Sequence, residues 1–423
     1  MKVLQVVHQF PPRHVGGTEI YVRGLSKALR KRGHDVTVFF GDNVPGEQPS
    51  DDLKLVAVKG GLNSSSSGLR TFLSAFGNNG AEKAFYKLLQ LEAPDIVHFH
   101  HLAGLSAKLV QIANRARIPT LFTLHDYWFL CPNSQLVTPK RKVCQGPSLN
   151  PGCATCAAER LGHPYLAWPL KLARPLFLLR NRMVWEALKA ADLVVAPSLF
   201  IRDMFIRHRF PPERIVHLPL GIEVPHTNVF PVSNGKRYVK LRVAYIGSLA
   251  WQKGVHVLIQ TFNAIDPSLA QLRVYGDESV FPEYSQALRR SARSEGIHFM
   301  GSLSRDNLRN VLMETDVLAV PSLWYENFPL VVQEAFAARV PVIASRIGAL
   351  PEQVRDGIDG LLFEPDDARD LLRKIGRLIE NPARVKVLSG NIPAVETMPH
   401  HASVMEQLYQ QPQMGMRSAK DRS

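Results

Sequence analysis

Cysteine is nearly absent from this chain of 423 residues: there are four, and all fall between positions 131 and 156. Thiols gathered in one short stretch are not scattered core residues. Long apolar runs are also missing, and none reaches the roughly 20 residues that span a bilayer. The opening Met1-Lys-Val-Leu-Gln-Val-Val-His8 is too short for a secretory signal core and has no small-residue cleavage site. It reads as a first buried strand, in a protein made and kept in the cytoplasm. Acidic residues are in deficit, 37 against 51 Lys plus Arg, leaving a formal charge of +14. Such an excess favours anionic partners: phosphorylated small molecules, anionic lipid or nucleic acid. No helix-turn-helix, zinc-finger or RNP-like aromatic motif supports nucleic acid.

What is present is ordinary for a globular protein, with 45% hydrophobic and 21% charged residues. The length exceeds what one core serves, so two domains are expected. Short Val/Ile/Leu-rich runs alternate with amphipathic stretches, which predicts parallel sheets covered by helices. Strands are expected at 3–7, 36–40, 53–58, 96–99, 120–124, 193–196 and 215–218, with helices such as Thr18–Arg32 and Leu102–Arg115 between them. The scheme restarts at Val243–Ile246 and continues at 272–275, 297–299, 317–320 and 341–344. Residues 223–240, rich in Pro, Asn, Gly and basic side chains, read as a linker. The last residues, 412–423, are polar and aperiodic and are expected to lack order.

The most informative stretch is Glu326-Asn-Phe-Pro-Leu-Val-Val-Gln-Glu334. Pro329 opens a helix whose first N–H groups, those of Asn327, Phe328 and Leu330 among them, suit a phosphate. Carboxylates on either side accept hydrogen bonds from sugar hydroxyls. A nucleotide sugar has that layout. Upstream, Ile246-Gly-Ser-Leu-Ala-Trp-Gln-Lys-Gly254 follows a strand and precedes a helix beginning near Val255. There Gly247 permits close backbone approach, and Lys253 is either a point charge for phosphate or a solvated surface lysine. In the first half Gly16 and Gly17 lie in the loop after strand one, and His125-Asp126 ends another strand. His98 and His100 share a face by period two, which invites a metal reading. No further ligand set accompanies them, so pocket and packing roles are preferred.

With these motifs the chain resembles the retaining glycosyltransferases of family 4, from Phe10-Pro-Pro-Arg-His-Val-Gly-Gly-Thr-Glu19 to Gly360-Leu-Leu-Phe-Glu-Pro365. The resemblance implies the α/β GT-B fold, two doubly wound Rossmann-like domains facing an interdomain cleft. It divides the chain into an acceptor-binding domain (1–222, with a Cys-rich insert at 131–156), the linker (223–240), a nucleotide-sugar domain (241–382), terminal helices crossing back to the first domain (383–411) and the tail. It implies that Glu326 holds the donor sugar and Glu334 the ribose, with Gly301 and Arg305 near the base. His125 falls beside the transferred sugar, and Gly16, Gly17, His100 and Asp126 on the acceptor side. Ser248 stands where that family often has a diphosphate-binding Arg, so Lys253 and the 327–330 amides carry more of the charge. Glu326, His125 and Lys253 are then the catalytic candidates, and no cofactor is required for catalysis. The implied activity is transfer of a sugar, with retention, from a UDP- or GDP-type donor to a glycan or lipid-linked acceptor in cell-surface polysaccharide or glycolipid synthesis. A sugar-nucleotide epimerase and a non-catalytic binding subunit are the rival readings.

Two segments stand outside this picture. Cys131, Cys144, Cys153 and Cys156 follow a C-x12-C-x8-C-x2-C spacing. In a reducing compartment, structural zinc, an iron–sulfur cluster or unliganded thiols are the readings, zinc being the simplest. Next, Tyr165 to Arg182 mixes apolar and aromatic residues with Lys171, Arg174, Arg180 and Arg182. It suits either docking on an anionic membrane or a helix packed on the sheet. Pro164, Pro169 and Pro175 argue against one long helix.

Overall fold

The computed structural model describes residues 1–13, 15–48, 52–61, 68–147, 152–160, 174–224 and 240–420. The chain divides into two compact units, 1–223 with 396–423, and 224–395.

In the first unit the strands are β1 (Lys2–Val7), β2 (Asp35–Asp42), β3 (Gly46–Gln48), β4 (Lys54–Lys59), β5 (Ile96–Phe99), β6 (Thr120–Thr123), β7 (Leu193–Ala196) and β8 (Ile215–His217). They form one sheet in the order β3-β4-β2-β1-β5-β6-β7-β8, parallel except for β3, which runs antiparallel to β4. Strands β5, β6 and β7 are buried along their whole length, as continuous apolar runs require when helices cover both faces. The helix Gly17–Lys31 turns Tyr21, Val22, Leu25 and Leu29 inward, and each is fully buried. Because β2 lies on one side of β1 and β5 on the other, chain direction across the sheet reverses there. The carboxyl ends of β1 and β5 therefore border the crevice where such sheets bind ligands.

The second unit contains β9 (Leu241–Ile246), β10 (Ala270–Tyr275), β11 (Ile297–Gly301), β12 (Val317–Val320), β13 (Val342–Ser345) and β14 (Gly360–Phe363), all parallel, in the order β11-β10-β9-β12-β13-β14. Its switch point lies between β9 and β12. Helix Ala368–Glu380 shows why the local sequence suffices: Asp367 caps it by accepting from the N–H groups of Arg369 and Asp370, both at 2.9 Å. From that start Leu371, Ile375 and Leu378 fall on one face and enter the core.

Several expectations need correction. Leu102–Arg115 is helical only from Lys108 to Arg115. Gly104 takes φ 77° and packs its Cα against the Gly61 backbone, so the chain there turns instead of coiling, and Ser106 Oγ receives the Lys108 N–H at 3.1 Å. Strands β3 and β14 were not among those expected; each is four residues or fewer, too short to show a period. Of the terminal helices, Ala383–Gly390 stays with the second unit, because Val385 and Leu388 enter its core. Only Met398–Lys420 joins the first unit, docked by backbone bonds from Ile222 N to Glu396 O (3.0 Å) and Met398 N to Ile222 O (2.8 Å), and by Arg32 pairing with Glu406. That helix continues past Pro412 to Lys420, where sequence alone suggested a loss of order. Most of the expected linker (225–239), the end of the tail (421–423) and residues 161–173 lie outside the described residues.

Candidate functional site

At the switch point of the second unit, the loop after β12 delivers Glu326, which is 4% exposed. Three donors converge on its Oε1: Ser322 Oγ at 2.6 Å, Lys253 Nζ at 2.7 Å and Trp324 Nε1 at 2.7 Å. The Lys253 ammonium also lies 5.2 Å over the Trp324 ring. Oε2 takes no hydrogen bond among the described residues. Two glycines make this placement possible. Gly254, at φ 71°, follows Lys253, and a Cβ there would run into the Pro321 carbonyl. Gly348, at φ 60°, lets the chain pass the Glu326 backbone, where a Cβ would sit 2.6 Å from both N and O.

Around this carboxylate the other predicted residues take distinct places. Gly247 and Ser248 are exposed just beyond β9, where the Ser248 carbonyl accepts from Tyr245 Oη at 2.7 Å. Burial, helped by the nearby Glu326, pushes the Tyr245 phenol far above its usual range. Asn327 is buried, Phe328 and Pro329 are half-buried, and Pro329 precedes the helix Leu330–Ala337 with no side chain capping its first turn. The early N–H groups of such a helix are available to an anion. Glu334 sits one turn in, paired with Arg305 at 2.5 Å, so the two residues assigned to ribose and base regions touch. Gly301 ends β11 at φ 74°.

The first unit builds its polar cluster at its own switch point. Gly16 caps the helix Gly17–Lys31 and leaves no room for a side chain, since a Cβ would lie 2.5 Å from Glu19 Oε2. Glu19 faces His8 at 3.2 Å, and burial raises its pKa. His101 Nδ1 accepts from Ala103 N at 3.1 Å, so its Nε2 donates to Asp126 at 2.8 Å. Asp126 also accepts from Trp128 N at 2.8 Å. Burial pushes this carboxyl upward, but His101 and the Trp128 amide outweigh it and hold the pKa below the usual value. Asp126 is thus engaged with its own unit, and His125 beside it is, like Asp126, mostly buried with a small exposed part.

A chain of side chains sets the state of His125. Gln5 Oε1 accepts from His100 Nε2 at 2.6 Å, which leaves the neutral His100 with a bare Nδ1. His125 Nε2, 3.1 Å away, must then donate to it. At its other end the Gln5 amide donates to Tyr409 Oη at 3.3 Å, whose proton goes to His98 Nδ1 at 2.8 Å; His98 Nε2 donates on to Thr123 Oγ1 at 2.8 Å. Turning over the Gln5 amide reverses every donor, so one side chain sets the polarity of the chain. His125 Nδ1 is left without a partner among the described residues, as an acceptor for a ligand hydroxyl. Tyr21 stands 5.2 Å from the His125 ring and bonds His401 at 2.7 Å. Gln5, Tyr21, His401 and Tyr409 were not anticipated. Gln5 carried a signal, as the lone polar residue inside Val3-Leu-Gln-Val-Val7.

Among the described residues, no three His, Cys, Asp or Glu stand placed to hold a metal, and the paired rings of His98 and His100 are consumed by the bonds above.

Two outcomes follow from the histidines. Burial holds His98 and His100 well below the ordinary value, His401 at about 4 and His125 at about 3. The folded chain therefore refuses protons that the unfolded chain takes up below about pH 6.5. Stability is complete above that pH and falls on acidification, by up to about 1.4 kcal/mol per pH unit for each ring. Glu19 opposes this in part. Urea unfolding between pH 7 and 5 should show the loss, with a shallower slope in His401→Gln; a flat profile contradicts the burial of these rings. Second, nitrogen NMR of histidine-labelled protein should find His125 in the Nε2–H form, both in the native chain and in Gln5→Glu, whose carboxylate can only accept. An Nδ1–H form in the native chain means that the Gln5 amide is turned the other way.

Comparison with known proteins identifies the family and the fold. A model described as Glycosyltransferase Family 4 matches residues 15–225, and one described as Glycosyl transferases group 1 matches residues 240–381. The chain is 27% identical to the MMP alpha-(1->4)-mannosyltransferase of Mycolicibacterium hassiacum, over 89% of each chain. Among solved structures, sucrose-phosphate synthase from Thermosynechococcus elongatus superposes with a TM-score of 0.69 at 21% identity, covering 97% of this chain and 98% of that one. Anabaena HepE, in complex with UDP, gives 0.63 at 18% identity, covering 99% and 100%. Matched along both of its units, the chain belongs to the family 4, group 1 glycosyltransferases, and its fold is GT-B.

Proposed function

We propose that this glycosyltransferase moves a sugar from a nucleoside diphosphate donor to a glycan or lipid-linked acceptor, with retention of anomeric configuration. The observation that carries the reading is Glu326: one oxygen is held by three donors while the other is left to accept from sugar hydroxyls. Lys253 spends one N–H on that carboxylate and keeps two for a diphosphate, beside the amides that begin the helix Leu330–Ala337. Glu334, steadied by Arg305, takes the ribose hydroxyls. His125 accepts from a hydroxyl of the transferred sugar.

No carboxylate in these motifs is assigned as a nucleophile beneath the sugar, so attack comes from the leaving-group face. The acceptor oxygen bonds to the anomeric carbon as the bond from that carbon to the phosphate oxygen breaks. Its electron pair stays on the diphosphate, which also takes the acceptor's proton. Lys253 and the helix start stabilise the charge that develops there. With Ser248 in place of an arginine, they carry it without a guanidinium.

An acceptor in cell-surface polysaccharide or glycolipid synthesis accords with work at the inner face of a membrane. No helix among the described residues is long and apolar enough to cross one. The helix Arg174–Ala190 exposes Leu176, Leu178 and Leu179 beside Arg182, while Phe177 packs 4.6 Å from Phe72. One helix thus combines an apolar exposed face suited to anionic lipid with a packed one.

Two measurements test the proposal. Glu326→Ala should lower kcat by about 100-fold or more, because its hydrogen bonds act on the reacting sugar, whereas Glu334→Ala should mainly raise the donor KM. Full turnover in Glu326→Ala removes that assignment. Proton NMR of the product formed from an α-linked donor should show an α-linked sugar, and a β product refutes same-face attack.

A further inference from the structure

The helix Arg174–Ala190 buries a cation. Arg180 is 1% exposed, and a guanidinium remains charged at any working pH. Nη1 donates to Asn181 Oδ1 at 3.2 Å, the guanidinium carbon lies 4.8 Å over the Trp128 ring, and Nε has no partner among the described residues. No carboxylate forms an ion pair with it among the described residues. Asp126 is within electrostatic reach, but that carboxylate is bound to His101 and to the Trp128 amide. A buried charge left in this state costs several kcal/mol. The other groups within its reach are Cys131 and Cys153.

The fold gathers all four cysteines here. Cys131 lies in a tight turn, its N–H bonded to Tyr127 O at 2.7 Å. The chain then doubles back through the antiparallel bridge Val137–Val143, and Cys144 N bonds Leu136 O at 2.6 Å. Cys153 and Cys156 are three apart on the helix Gly152–Arg160, on one side of it. Asn133 Nδ2 reaches Cys156 Sγ at 3.9 Å, tying the turn to that helix. Cys153 is within electrostatic reach of the other three thiols and of Arg180. Neutral thiols offset no charge. Thiolates do.

We propose that Cys131, Cys144, Cys153 and Cys156 bind one zinc ion as a tetrathiolate, with Arg180 as its buried counter-charge. Binding releases four thiol protons and leaves a site of charge −2, which the guanidinium partly neutralises. Four sulfur ligands suit a closed, tetrahedral structural zinc. Among the described residues no three side chains stand spaced to hold a metal, so binding requires the four sulfurs to close up around the ion. The inference is independent of the transferase reading.

The test is metal analysis of the full chain, purified without chelator. Mass spectrometry of metals should find about one zinc per chain, as a single four-ligand site requires, and little in Cys153→Ser/Cys156→Ser. Replacement of zinc by cobalt(II) in the native chain should give thiolate-to-cobalt charge-transfer absorption. Arg180→Met keeps a side chain on Trp128 and should hold zinc about tenfold more weakly in chelator competition. If the native chain shows four freely titratable thiols both before and after zinc is added, the site does not exist. Iron with sulfide in place of zinc overturns the metal assigned. Because each readout counts metal or thiols, a chain inactive as a transferase can still pass.

Discussion

One buried carboxylate organises the second unit. Glu326 is held out of water by its loop and stays there because Ser322, Trp324 and Lys253 all donate to a single oxygen. A nearly buried acid without such partners costs several kcal/mol, and one with them is fixed in orientation. The arrangement depends on two loops meeting at the sheet's switch point, the loop after β9 bringing Lys253 and the loop after β12 bringing the rest. They meet only because Gly254 and Gly348 adopt left-handed backbone that leaves no space for a side chain. Chemistry and chain geometry are the same constraint here.

The first unit solves a parallel problem with histidine. Gln5, His98, His100 and Thr123 lie on or just beyond adjacent strands, and each would be an unpaired polar group in an apolar sheet if alone. Linked, they satisfy one another and end at His125. The last helix takes part, since Tyr409 bonds both His98 and Gln5, and His401 bonds Tyr21. A helix more than 300 residues away in sequence therefore helps to set the hydrogen-bonding state of a strand-end histidine.

The difference between what the sequence disclosed and what it hid follows from range. Buried parallel strands announce themselves as apolar runs, and twelve of the fourteen β-strands are expected within two residues of their observed bounds, β3 and β14 being the exceptions. Glu326, Lys253 and His125 stand out in the sequence as candidates because a motif is local. The Glu326 donors Ser322 and Trp324 are also local, yet no rule of spacing marks them. Tyr409 and His401 were out of reach, because their partners lie on strands and helices far away in sequence. Leu102–Ala107 misled because its composition suits a helix while contacts between Gly104 and Gly61 forbid one. Arg180 stands, in sequence, among the basic residues of a segment suited either to a membrane surface or to packing on the sheet. Only packing reveals that it points inward.

That inward arginine links the two parts of the first unit that the motifs left separate. Its guanidinium lies over Trp128, the Trp128 amide donates to Asp126, and Asp126 accepts a hydrogen bond from His101 next to His125. The cysteine loop grows directly from this segment, with Cys131 bonded back to Tyr127. Whatever fixes the loop also fixes Trp128, and through it the Asp126–His101 pair. In the proposed transfer the cysteines need not touch a substrate: they brace the turn that follows His125, and the side chain proposed to position the sugar must itself be held still.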